Sequence, residues 1–166
     1  MRRVMTTSGA ALASGCVALA VAALTWAAQP KPATHFSGRG KLCENNAAGG
    51  RYTNCSGHDQ FSFQTSSTGS RVRAFKALIG PFYCGGGSST IKVKSMKVGA
   101  KGSFSKRFSG PNIAFGKRNG TYHVKVRGRF TSPSTATVSY QEVIHFNSTS
   151  NAQDCGARVR GVAHAK

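Results

Sequence analysis

The chain has 166 residues, of which 23 are Lys or Arg and only 4 are Asp or Glu, for a formal charge of +19 at pH 7. So few carboxylates argue against a calcium site, whereas a strongly positive protein attracts polyanions and repels cations. A hydrophobic content of 39 % is ordinary for a folded domain and argues against global disorder.

Met1, Arg2 and Arg3, a small-residue stretch and an apolar run over 16–26 follow the charged, apolar, small-residue order of a secretory signal peptide. The run is about eleven residues, short of the roughly twenty that a membrane-spanning helix needs. Thr25 and Ala27 supply small residues at the −3 and −1 positions, so cleavage is expected after Ala27. The expected organisation is a signal peptide over 1–27, a linker and disulfide-clipped segment over 28–59, and a β-sandwich domain over 60–166 onto which 28–59 packs. The expected location is secreted, either extracellular or periplasmic, with no transmembrane segment after cleavage. Without Arg2 and Arg3, 21 cations face Glu44, Asp59, Glu142 and Asp154, a formal charge of +17.

Cys16 leaves with the leader, and Cys43, Cys55, Cys84 and Cys155 remain. An even number in an exported domain predicts disulfides. Three pairings are possible. The favoured one joins Cys43 to Cys55 across a short local loop and Cys84 to Cys155 between mid-chain and the last strand. No pair has the two-to-four-residue spacing of zinc knuckles, and no metal or other cofactor is expected.

Beyond the leader, short alternating runs are punctuated by Gly, Ser, Asn and Pro, which predicts an antiparallel all-β fold. The first strand is expected over 34–42, followed by a Gly- and Asn-rich loop over 43–58. In 60–65, Phe61 and Phe63 alternate with Ser62 and Gln64; a turn leads to a partner over 71–79. The strand over 90–98 sets Ile91 and Val93 against Lys92 and Lys94, and its parity breaks at Met96, the mark of a bulge. A short strand is expected over 103–108. Asn119-Gly120 predicts a type I′ hairpin turn between 112–118 and 121–130. In the second arm Tyr122, Val124, Val126 and Phe130 face one way, and His123, Lys125, Arg127 and Arg129 the other. Strands over 135–146 and from Cys155 to 165 complete eight or nine in one domain, a β-sandwich with a small β-barrel as the alternative.

Several short motifs resemble a group of secreted bacterial domains of unknown function. They are Phe61-Ser62-Phe63, Cys84, Gly102-Ser103-Phe104-Ser105, Gly128-Arg129-Phe130-Thr131-Ser132, Thr135-Ala136-Thr137 and Asp154-Cys155-Gly156. The likeness spans about 60–165. It implies export and a compact β-sandwich with a cysteine pair linking the middle of the chain to its last strand. It carries no catalytic residue. Val138 stands where those domains often have glycine, and the final strand has no Trp.

Between Asp59 and Glu142 there is no acidic residue but fourteen Lys and Arg, alternating with apolar residues. Side chains two apart on a strand project from one face about 6.8 Å apart. Lys125, Arg127 and Arg129 therefore form a row, Lys92 and Lys94 a second, and Arg158 and Arg160 a third, with Lys41 and Arg51 off the stripe. A solvated face ordinarily intersperses both signs, so these rows are candidates for polyanion binding. The aromatics alternate away from the cations, which fits nonspecific attraction better than base reading. The expected partners are wall polymer, lipopolysaccharide or nucleic acid.

No catalytic residue is assigned. There is no Gly-x-Ser-x-Gly elbow, and Gly85-Gly86-Gly87 precedes a strand rather than a phosphate-binding helix. His58-Asp59 is a weak metal pair. The expected function is a non-enzymatic binding or structural module. The alternative is a small basic hydrolase of ribonuclease type, for which His123 and His145 form the best acid–base pair beside Lys125 and Arg127.

Overall fold

A computed structural model describes residues 28–45, 52–53, 55–80, 87–114, 117–147 and 154–166. Period-two alternation underlies the strands. The strands are β1 His35–Asn45, β2 His58–Thr65, β3 Arg71–Ile79, β4 Ser89–Lys97, β5 Ser103–Ala114, β6 Lys117–Ser132, β7 Thr135–Phe146 and β8 Cys155–Ala165. They form one antiparallel sheet in the order β4-β3-β2-β1-β8-β7-β6-β5. Consecutive strands pair throughout except β4 with β5, and β1 also pairs with β8, from Phe36↔Ala165 to Asn45↔Gly156. The sheet is thereby curled until nearly closed as a barrel, with β4 and β5 as its edges. Between them the chain turns over 99–102, where the Gly99 N–H donates to the Ser103 carbonyl at 2.8 Å and Gly102 takes φ +66°.

The inward positions build an aromatic core. Phe36 stacks on Phe63 with ring centroids 5.0 Å apart, and Phe63 meets Phe104 at 5.6 Å and Phe130 at 6.1 Å. Phe36, Phe63, Phe75, Phe130 and Tyr140 are fully buried. Each such side chain contributes about 1.5–3 kcal/mol by leaving water. The Tyr140 hydroxyl keeps a partner by donating to the Leu78 carbonyl at 2.8 Å.

The parity break at Met96 has its origin in the neighbouring strand. Between Ser62↔Lys76 and Gln64↔Arg73 the register of β2 with β3 shifts by one residue. Ala74, at φ +49°, lies within this bulge. Because β4 pairs with β3 without a shift, Val72, Phe75, Met96 and Val93 all stay inward on both sides of it.

Asn119-Gly120 does not form the hairpin turn. Ala114 pairs with Lys117, so both residues lie inside β6, and β5 runs well beyond 108. Between Asn112↔Gly120 and Ile113↔Arg118 the register shifts, leaving Asn119 as the extra residue of a second bulge. Its side-chain oxygen accepts from the Asn112 amide at 2.7 Å. Gly120 answers a different need, since a Cβ there would lie 2.3 Å from the His145 carbonyl oxygen of β7.

Cys43 is bonded to Cys55, twelve positions away. Cys155 is also disulfide-bonded; its partner lies outside the described residues, as do Cys84, Arg51 and the expected leader over 1–27. No helix among the described residues is long and apolar enough to cross a membrane.

Candidate polyanion interface

Three of the four acidic residues are withdrawn from the surface. Glu44, Asp59 and Glu142 are only 7 %, 5 % and 6 % exposed. All three occupy inward parity: Asp59 precedes Phe61 and Phe63 by two and four, and Glu142 follows Ala136, Val138 and Tyr140. Ala157 pairs with both Glu44 and Glu142, so two carboxylates flank one alanine at one end of the interior. Asp59 accepts the Gly80 N–H at 3.0 Å, and Glu142 accepts the Ser89 hydroxyl. Burial raises the pKa of both Asp59 and Glu142, and these hydrogen bonds oppose the rise. The same parity rule that placed the phenylalanines could have located these acids in the sequence.

Asp154 is the remaining acid. Its carboxylate takes His145 Nδ1 at 2.7 Å and the Phe146 N–H at 3.1 Å. The His145 hydrogen bond, ahead of the opposing effect of desolvation, lowers the Asp154 pKa. Among the described residues, His145–Asp154 is the only ion pair. The described Lys and Arg of the outer surface therefore have no carboxylate partner among the described residues.

Strand register arranges those cations in rows. One row runs Arg107↔Lys125↔Gln141↔Arg158, and the next Ser105↔Arg127↔Ser139↔Arg160↔Lys41. A third runs Ser103↔Arg129↔Thr137↔Val162↔Arg39. The rows of β6 and β8 thus share one face across β7. Lys41, expected off the stripe, lies directly opposite Arg160 and belongs to it. Its strand was expected, over 34–42, but the pairing of that strand with β8, which sets Lys41 opposite Arg160, was not. Lys92 and Lys94 lie on β4, across the barrel's opening from β5, where Lys92 pairs with Lys76. Arg158 turns its guanidinium over the Tyr52 ring, 4.3 Å from the centroid. Partial desolvation, then the charges of Arg107 and Arg127, lower the Lys125 pKa.

Two strands interrupt the charge. Neither β2 nor β7 carries a Lys or Arg, and both lie between basic neighbours. Over β7 this leaves a groove of about 510 Å³ lined by Arg127 and Arg129, Thr137 and Ser139, and Arg160 and Val162. Further along, a recess of about 490 Å³ is bordered by Arg107, His123, Lys125 and Gln141. His123, which lines it, meets His145 with ring centroids 5.1 Å apart. With the carboxylate of Asp154 as acceptor, His145 Nδ1 carries the hydrogen, which leaves Nε2 as the available ring nitrogen. The involvement of Asp154 was not read from the sequence, because its partner lies nine positions away on β7.

The remaining candidates separate. His58 is exposed and Asp59 buried on opposite faces of β2, so they cannot share an ion. No described Phe or Tyr is exposed; Leu78, Ile113 and Val162 are the large apolar side chains at the surface among the described residues. No protein-family model matches the chain, and no curated protein matches it.

Proposed function

We propose that this chain is an exported, disulfide-stapled β-module, without enzymatic activity, that binds anionic polymers or surfaces through its outer face. Cleavage after Ala27 and kinship with the secreted bacterial domains named above belong to the same reading. So does the architecture. The continuous hydrogen-bonded order from β4 round to β5 favours a barrel opened between those strands over a sandwich of two sheets. The observation that carries the function is the segregation of charge. Glu44, Asp59 and Glu142 are inside, while Lys125, Arg127, Arg129 and Arg160 project outward with no carboxylate partner among the described residues. A fold needing cations only for solubility gains nothing from burying its acids, which costs desolvation. The partners that fit are wall polymer, lipopolysaccharide or nucleic acid, held by charge rather than by base contacts.

Titration of the purified protein with a labelled polyanion at several salt concentrations tests this reading. With about five side chains engaged, log K falls against log[salt] with a slope of about −4, at about 0.7–0.9 per phosphate. Binding that ignores salt, or no binding to any polyanion, refutes it.

The His123–His145–Asp154 cluster supports a second reading, a small hydrolase of ribonuclease type. Two imidazoles, one fixed by a carboxylate, with Lys125 and Arg107 alongside, are groups that acid–base cleavage of a phosphodiester uses.

A further inference from the structure

Resting on that reading, we propose that the groove over β7 is the binding site for one extended chain of phosphodiester-linked polyol, lying parallel to the strand. Its walls are Arg127 and Arg129 of β6 on one side and Arg160 of β8 on the other, with Thr137 and Ser139 between them. Strands β6 and β8 are two sheet spacings apart, about 9.6 Å, which admits a single chain but not a duplex. Arg127 and Arg129 stand about 6.8 Å apart along the strand. A three-carbon polyol phosphate has six backbone bonds per repeat, as many as two residues of polypeptide, so its phosphates recur about every 7 Å when extended. Successive phosphates therefore meet successive arginines, each offering planar, bidentate donors. Arg160 reaches the same phosphates from the opposite wall.

The floor selects for the polyol. The Ser139 hydroxyl makes no hydrogen bond among the described residues, and the Thr137 hydroxyl makes only a long one of 3.4 Å to the Arg129 carbonyl, so both can meet polyol hydroxyls. Val162 offers apolar surface to the carbon chain. A single-stranded nucleic acid has the same six-bond phosphate repeat, but its bases call for aromatic platforms, and no described Phe or Tyr is exposed. The strip over β2 also lies between basic strands. There, however, the register of β2 with β3 is broken opposite Ser62 and Gln64, which interrupts the spacing along its β3 wall.

The test uses synthetic oligo(glycerol phosphate) of one to eight repeats, with oligothymidylates of equal phosphate number and a short DNA duplex as comparisons. At fixed low salt, affinity for the polyol phosphate should rise steeply to three or four repeats and then level. It should exceed that for the matched oligothymidylate by about fivefold or more, roughly a kcal/mol. The variant Arg127→Gln/Arg129→Gln/Arg160→Gln should lose about 30-fold and abolish the preference. The variant Arg127→Lys/Arg129→Lys/Arg160→Lys, which preserves charge and folding, should keep the salt slope yet lose the preference. Ser139→Ala should weaken the polyol phosphate and leave oligothymidylate unchanged. Equal, salt-sensitive binding of all three ligands overturns the polyol site while leaving polyanion binding intact. Loss of the preference through Arg39→Gln/Lys76→Gln instead moves the chain to β2 and also overturns it. Absence of salt-sensitive binding overturns both readings.

Discussion

Replacing Gly128 by Ala tests the link between the core and the basic row. A Cβ at this position would lie 2.1 Å from Phe104 Cζ and 2.6 and 2.7 Å from two neighbouring ring carbons. Ordinary carbon contacts are about 3.5–4.0 Å, so the ring must retreat by more than an ångström. It has nowhere easy to go: Phe104 is 3 % exposed and packed on Phe130 at 5.5 Å and Phe63 at 5.6 Å. Overpacking of this kind costs about 1–3 kcal/mol. With about 2 kcal/mol lost and an m-value of about 2 kcal/mol/M, the urea midpoint should fall by about 1 M. Circular dichroism is a suitable probe, since Trp26, in the expected leader, is the only tryptophan. Gly99→Ala is the control, because its nearest neighbour would be an ordinary 3.5 Å away. Shortening the ring with Phe104→Leu should recover part of the loss, so the double variant falls short of the sum of the singles. An unchanged midpoint, or additivity within about 0.5 kcal/mol, refutes the packing argument. Gly128 stands between Arg127 and Arg129, so the same variant should also weaken polyanion binding.

Three further outcomes follow from the buried and paired groups. Burial raises the folded pKa of Glu142, so its stabilising contribution is complete below the unfolded value and fades as pH rises through the folded one. Glu142→Gln keeps an acceptor for Ser89 and has no proton to lose; its melting temperature should exceed wild type at pH 8 and the gap should close towards pH 4, and a variant less stable at pH 8 contradicts this. Peptide mapping without reductant should find Cys43 joined to Cys55 and no free thiol at Cys155, and removing the first bond should cost about 3 kcal/mol by chain entropy. Free thiols in exported protein would be inconsistent with both. Incubation with RNA should give no turnover that depends on the histidines; cleavage that vanishes in both His123→Ala and His145→Ala would replace the binding reading with the hydrolase.

Alternation in the sequence identified most of the sheet. The runs 71–79 and 135–146 coincide with β3 and β7, and the inward set Phe61, Phe63, Val124, Val126 and Phe130 forms the core as expected. Period-two patterns report which way a side chain points, so Lys125, Arg127 and Arg129 were legible as one outward row. They do not report which strands become neighbours. The pairing of β1 with β8 brings Lys41 beside Arg160 and leaves Lys92 and Lys94 at the other edge, and nothing local in the chain encodes that closure. Asn119-Gly120 misled for a related reason: neither residue takes the positive φ that a type I′ turn needs, and whether the pair makes a turn or lies within a strand is decided by the register of β5 against β6. The approach of His123, His145 and Asp154 likewise depends on strand register and on chain that returns after 147.

The salt dependence of polyanion binding in two charge-matched variants tests the central claim most directly. One carries Lys125→Gln, Arg127→Gln and Arg129→Gln on β6; the other carries Lys76→Gln, Lys92→Gln and Lys94→Gln on β3 and β4. Each loses three charges. If the face across β7 binds the polyanion, the first variant flattens the slope of log K against log[salt] by about two, at about 0.7 per phosphate released, while the second changes it by less than half as much. Equal flattening by both variants would show that net charge alone draws the polyanion and would contradict a localised interface.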